Sequence, residues 1–204
     1  MAFLVFEGLD GAGKSTLIQA LARHLKSLNQ TFVLTREPGG TILGDEIRQM
    51  LLRTESEAPV PRAELLLYQA GRAQHVEKVI LPALQRKEWV LCDRFSASSV
   101  AFQAGGRGLN RDEIEQLNRY STGGLEPQLW VLLDLDAETA MQRMQGRELD
   151  RFEREQKDFH VRVREMYLKL ARENSKNWLV LSAKDSPEEL IKKLLSEIEK
   201  RGLI

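Results

Sequence analysis

Eight residues near the amino terminus carry the most specific chemistry in the sequence. Gly8-Leu9-Asp10-Gly11-Ala12-Gly13-Lys14-Ser15 has the spacing G-x-x-x-x-G-K-[ST], set directly after an apolar run and before an amphipathic one. A loop entering a helix can turn its main-chain N–H groups inward around phosphate oxygens, and glycines remove the Cβ atoms that would block the approach. The helix N-terminus adds its positive dipole end. Lys14 can reach β- and γ-phosphates, and the Ser15 hydroxyl can ligate Mg²⁺. The loop predicts a nucleoside triphosphate site. The G-x-G-x-x-G spacing of dinucleotide folds is absent.

Other charged and aromatic residues fall at telling intervals. Asp10 sits inside a loop built for anions, where its carboxylate opposes the local field. Arg94 directly follows an apolar run, at the sheet edge where open α/β folds bind ligands, and its guanidinium fork suits a phosphate. Tyr68 and Arg72 are four apart, as are Ser99 and Gln103, so each pair shares one helix face. Arg143, Arg147, Arg151 and Arg154 cluster in and around a polar stretch. His24, His75 and His160 are scattered without metal-ligand spacing, and no histidine needs a catalytic role.

Short apolar runs alternate with amphipathic segments along the chain. Phe3–Phe6, Thr31–Thr35, Trp89–Cys92, Leu129–Leu135 and Trp178–Leu181 read as buried strands. Helical spacing covers Lys14–Leu28, Gly44–Arg53, Arg62–Arg86 with a kink expected at Pro82, and Ser98–Ala104. It recurs over Arg111–Tyr120, Ala137–Gln145 and Lys157–Asn174, and Ser186-Pro187-Glu188-Glu189 reads as a capped helix start. Strands separated by helices imply an α/β fold, one parallel sheet covered on both faces. The expectation is one P-loop domain over 1–204, with a small lid at about 143–154.

Bulk properties narrow the class. Thirty basic and thirty acidic side chains cancel, which argues against nucleic acid or a membrane surface as the main partner. Cys92, the single cysteine, lies in an apolar run and reads as a buried reduced thiol. The N-terminal run meets Glu7 too soon for a signal peptide, and no apolar stretch nears the ~20 residues of a membrane span. The cytoplasm is the expected compartment.

Three kinds of phosphate-loop protein compete. A GTPase would need N-K-x-D and D-x-x-G elements, and neither stands in its place. A motor or transport ATPase would end a strand in a Mg²⁺-holding carboxylate; Asp93 ends the third, but Arg94 follows it at once and suits anion binding better. A small-molecule kinase accounts for more of the arginines.

The motifs together resemble the thymidylate kinase family over nearly the whole chain. Glu7–Thr16 resembles its phosphate loop, Thr35-Arg36-Glu37-Pro38-Gly39-Gly40-Thr41 the element after the second strand, and Leu67–Arg72 the base-binding helix. Asp93-Arg94-Phe95-Ser96-Ala97-Ser98-Ser99-Val100-Ala101-Phe102-Gln103 is similar to D-R-[YFH]-x-x-S-x-x-A-[YF]-Q, the most specific of these. Arg143, Arg147 and Asp150-Arg151-Phe152-Glu153 resemble the lid.

The resemblance implies transfer of the γ-phosphoryl of ATP to dTMP, with Mg²⁺ and a homodimer. Gly8, Leu9, Asp10, Gly11, Ala12, Gly13, Lys14, Ser15 and Thr16 would cradle ATP, with Ser15 on the metal. Arg36 and Arg94 would hold the dTMP phosphate, and Asp10 the sugar hydroxyl. Tyr68 would stack on thymine, Arg72, Ser99 and Gln103 would contact its edge, and Phe102 would lie beside the sugar. The family more often has Phe at position 68 and Tyr at 102. It sometimes places an arginine where this chain has Gly11. A lid arginine, Arg151 or Arg147, would then supply transition-state charge beside Lys14, Asp10 and Arg94. A kinase for another small acceptor, and a nucleotide-binding module with little turnover, stay open at this point.

Overall fold

The computed structural model describes residues 2–54, 57–146 and 148–204. Among them, β1 (Phe3–Glu7), β2 (Phe32–Arg36), β3 (Trp89–Asp93), β4 (Leu129–Asp134) and β5 (Trp178–Ser182) form a sheet ordered β2-β3-β1-β4-β5. Every neighbouring pair is parallel. All five residues of β1 are buried, as a central strand covered on both faces requires, whereas the edge strand β2 is only partly covered.

The register decides where chemistry can happen. Phe6 pairs with Asp93, Asp93 with Arg36, and Glu7 with Leu132. The carboxyl ends of β1, β2 and β3 therefore finish at one sheet edge. The loops that follow them, carrying Gly8–Gly13, Glu37–Gly40 and Arg94, emerge side by side.

Helices cover the faces with the stripes their spacing predicts. α1 (Lys14–Ser27) buries Leu17, Ile18, Leu21, Ala22 and Leu25 and packs beside α9 (Pro187–Lys200), which buries Leu190, Leu194 and Ile198. Ser186 and Glu189 close a capping box at the start of α9. α8 (Lys157–Glu173) inserts Phe159, Val163 and Tyr167 into the core and lies against β4 and β5. α3 (Pro61–His75) contacts both α2 (Ile42–Leu52) and α6 (Arg111–Thr122), and the short α4 (Leu81–Gln85), α5 (Ser96–Ser99) and α7 (Ala137–Arg143) complete the described helices.

Two helical stretches depart from simple periodicity. The expected helix over 62–86 is α3, a π-helical turn at Val76–Ile80, and α4. Pro82 has no N–H to close on the carbonyl four residues back, and the wider turn lies immediately upstream of it. The stretch expected over 98–104 begins at Ser96 and winds as a π-helix from Val100 to Gly106. A Cβ on Gly106 would lie 2.4 Å from the Phe159 ring, so this glycine lets α8 press against the segment.

Cys92 is buried and unpaired, and burial with nearby Glu37 and Asp93 pushes its thiol pKa up. Among the described residues, no helix is long and apolar enough to cross a membrane.

Candidate active site

The phosphate loop bridges β1 and α1. Gly8 has φ 133°, and a Cβ there would lie 2.4 Å from the Leu133 carbonyl oxygen, so the loop can leave β1 beside β4 only as glycine. Lys14, though buried, keeps its ammonium over the loop: Nζ donates to the carbonyls of Gly8 (3.2 Å) and Leu9 (3.1 Å) and lies 3.6 Å from Asp10 Oδ1. Burial alone would raise the Asp10 carboxyl, but Arg94 and then Lys14 outweigh it and hold its pKa well below the usual carboxylate range. Asp10 is a fixed anion.

Arg94 is the joint of the site. It has φ 69°, a left-handed conformation costing an arginine about 1–2 kcal/mol. Its N–H is tied to the Phe6 carbonyl at 2.9 Å. Nη2 donates to Asp10 at 2.8 Å, and Nη1 reaches Tyr167 (3.2 Å) and Ser98 (3.4 Å). Those hydroxyls donate in turn to Glu7 Oε2, at 2.7 and 2.6 Å, while Glu7 Oε1 accepts from the Phe95 amide. Burial raises the Glu7 pKa against the pull of Arg94.

Beside this joint opens a cleft. It brings together Asp10, Tyr68, Arg72, Arg94, Ser99, Phe102 and Gln103, seven of the eight residues assigned to the acceptor. Arg36 is elsewhere. Its side chain is mostly exposed, 3.7 Å from Asp45, in a neighbouring shallow cleft with Ser15, Thr35 and Asp93. The cleft wall also includes Arg48, whose Nη1 donates to the Pro38 carbonyl at 3.1 Å, and Asp150, whose carboxyl pKa burial raises.

Aromatic rings close the cleft from the side of the 148–154 segment. Phe152 meets Phe102 (5.8 Å) and Tyr68 (6.2 Å) edge to face, and the Arg151 guanidinium lies over the Phe152 ring. Burial, then the Glu64 charge, pushes the Tyr68 phenol pKa up, so it stays neutral. Glu64, fully buried on α3, accepts from Gln103 Nε2 (2.8 Å), Arg107 Nη2 (3.3 Å) and Arg151 Nη2 (2.8 Å). Arg151 also donates to the Leu51 carbonyl. The structure thus turns Arg151 toward Glu64. Of the arginines 143, 151 and 154, it is Arg143 that reaches the phosphate loop among the described residues, donating to the carbonyls of Gly11 (3.2 Å) and Ala183 (3.0 Å). Arg147 lies outside the described residues.

Ser15 Oγ lies 3.5 Å from Asp93 Oδ2, and Asp93 Oδ1 is buried with no hydrogen-bond partner. A hydroxyl and a carboxylate with one oxygen unsatisfied, at the foot of a phosphate loop, are oxygen donors of the kind Mg²⁺ takes. On the loop's other side, a cleft runs between Thr16, Arg143 and the 183–187 turn.

Sequence spacing alone missed several of these groups. Asp93 did carry a signal, an acid ending a buried strand, which the adjacent arginine obscured. Glu7 and Glu37 stood within motifs that did not reveal their partners. Glu64 and Asn118, an α6 residue that accepts from Arg72 at 2.8 Å, carried no signal, because each meets its partners only across the fold.

Known proteins align with this arrangement along most of its length. The family model described as Thymidylate kinase matches residues 6–194. A thymidylate kinase of Bdellovibrio bacteriovorus is 52% identical over 210 residues, spanning 100% of this chain and 98% of the relative. One from Pelotomaculum thermopropionicum is 49% identical over 183 residues, 89% of this chain and 85% of the relative. The crystal structure of thymidylate kinase from Ehrlichia chaffeensis matches with a TM-score of 0.79 at 30% identity, covering 97% of this chain and 98% of that one. Sequence identity of this extent, carried on the same fold, makes the chain a member of the thymidylate kinase family.

Proposed function

We propose that this ATP-dependent nucleoside monophosphate kinase moves the γ-phosphoryl group of ATP onto dTMP, giving dTDP and ADP in the supply of dTTP. The observation that carries the reading is Arg94, held by Asp10 of the phosphate loop at 2.8 Å and lining the acceptor cleft. One guanidinium stands where donor and acceptor phosphates must meet. Phosphoryl transfer asks mainly for positioning and charge neutralisation, which this placement supplies.

In this reading the amides of Gly8–Thr16 and Lys14 bind the donor phosphates, and the donor base lies in the cleft beside Arg143. Arg94 takes the dTMP phosphate, with Arg36 reaching it from the β2 edge. Asp10 orients Arg94 and the sugar hydroxyl. Tyr68, Phe102 and Phe152 enclose base and sugar, and Arg72, Ser99 and Gln103 face the base edge. Arg147 and Arg151 are the lid cations for the transferring phosphoryl. Arg151 would serve by exchanging Glu64 for it, a contribution that can reach ~10³–10⁵ in rate. Ser15 and Asp93 would hold Mg²⁺, which when bound neutralises charge on the β- and γ-phosphates. The proposal takes the chain as a single domain with a lid near 143–154, acting as a cytoplasmic homodimer.

An acceptor panel tests it. With Mg-ATP, ADP release should be fastest with dTMP, slower with dUMP, and near background with dCMP, dGMP and dAMP. The missing methyl of dUMP is worth only ~1–3 kcal/mol, so some turnover there is expected. Faster release with a purine monophosphate would refute the assignment.

A further inference from the structure

Arg72 is 1% exposed, and its surroundings account for nearly every proton it carries. A guanidinium has five N–H bonds. Nε donates to Glu37 Oε2 at 2.8 Å, and Nη2 to the Phe95 carbonyl at 3.1 Å. The two N–H bonds of Nη1 meet Asn118 Oδ1 (2.8 Å), Ser99 Oγ (3.0 Å) and Gln69 Oε1 (3.1 Å). One N–H on Nη2 is left for a ligand in the cleft that Arg72 lines.

Asn118 is the shortest of the Nη1 contacts and the most firmly fixed. It lies on α6, 46 residues from Arg72, and is itself buried. Its Oδ1 accepts a second bond from Gln69 Nε2 at 2.8 Å, and its Nδ2 donates to the Ser96 carbonyl at 2.9 Å. Two donors on one side and an acceptor on the other leave the amide a single orientation. Gln69 is pinned in turn by Ser121, whose hydroxyl donates to Gln69 Oε1 at 2.6 Å.

We propose that Asn118 is a positioning residue for base selection: it fixes the rotation of the Arg72 guanidinium so that one N–H is aimed at the acceptor base. The inference rests on the dTMP reading and deepens it. An N–H in that place can donate to the 4-carbonyl of thymine but finds no acceptor in the 4-amino group of cytosine, which is itself a donor. A site built around one such bond discriminates far more strongly than one built around a methyl group.

The test is the ratio of kcat/KM for dTMP over dCMP, with Asn118→Ala as the main variant. Loss of the shortest and best-fixed of the three Nη1 acceptors lets the guanidinium turn, which predicts a fall in that ratio of about tenfold or more. KM for dTMP should rise and KM for ATP should hold. Asn118→Asp keeps an acceptor for Arg72 but loses the bond to the Ser96 carbonyl, so the ratio should fall by clearly less than in the alanine variant. Should the alanine variant not fold, Asn118→Ser, too short to reach Arg72, carries the same prediction. An unchanged ratio in a folded Ala or Ser variant overturns the proposal, as does equal loss in Asp. Failure of the unaltered protein to phosphorylate dTMP is a different result, and it sinks the acceptor reading itself.

Discussion

At the scale of single residues, the site is a set of fixed charges whose partners were chosen across the fold. Arg94 is oriented by Asp10, Ser98 and Tyr167, and Arg72 by Glu37 and Asn118. Glu37 and Arg72 are both nearly inaccessible, so removing either would strand a buried charge at a cost of about 3–5 kcal/mol. His75 donates or accepts between Glu37 (3.0 Å) and Thr35 (2.6 Å), completing that buried chain. Asp93 is the exception among these groups, with one oxygen buried and unpaired among the described residues. If it helps hold Mg²⁺ with Ser15, Asp93→Asn should raise the Mg²⁺ concentration for half-maximal ADP release about 10–100-fold and leave KM for dTMP nearly unchanged. A metal titration identical to that of the unaltered protein would remove Asp93 from the metal site.

At the scale of elements, periodicity and loop chemistry made the strands and most helices readable. Leu17, Ile18, Leu21, Ala22 and Leu25 of α1 are buried as their spacing requires, and β1, β3 and β4 are the continuous apolar runs of a covered sheet. The π-helical turns were not readable. One depends on how Pro82 ends a long helix, the other on Phe159 of α8 reaching Gly106, far away in sequence. The closing of the cleft by Phe152, and the capture of Arg151 by Glu64, were hidden for the same reason: hydrophobic periodicity reports which face is buried, never against what. α8 also carries a prediction. His160 is 5% exposed with Nε2 unpartnered, and burial holds its pKa below the ordinary 6.5 despite the nearby charges of Asp10 and Glu155. The unfolded chain takes up a proton near pH 6.5 that the folded chain refuses until lower pH. Stability from this group is therefore whole above 6.5 and declines as pH falls below it. Between pH 7.5 and 5.5 the Tm of His160→Gln should drop less than that of the unaltered protein, and equal drops would show that His160 is not the acid-sensitive group.

At the scale of the whole molecule, three loops at one sheet edge place a phosphate loop, an arginine joint and an enclosed cleft within reach of one another. That placement follows from strand order and register, which local spacing implies only as a parallel sheet. It is why the phosphate loop was legible from eight residues while the acceptor cleft needed the fold. The outer surface bears on assembly. Leu66 on α3, Tyr120 on α6 and Val60 at the start of α3 are large apolar side chains 56%, 87% and 64% exposed, on helices that touch each other. Large exposed apolar side chains on two helices in contact are surface that the proposed homodimer would cover. Light scattering should give twice the chain mass of 23.3 kDa, and a concentration-independent 23.3 kDa would exclude the homodimer.

The most direct test of the account is the fate of the terminal phosphate. Protein incubated with Mg²⁺, dTMP and ATP labelled at the γ-position should place the label in dTDP, at a rate that collapses in Lys14→Ala, with little appearing as inorganic phosphate. Label released to water at the same rate with or without dTMP would contradict it, because a site that joins two phosphates across Arg94 must deliver the group to the second one.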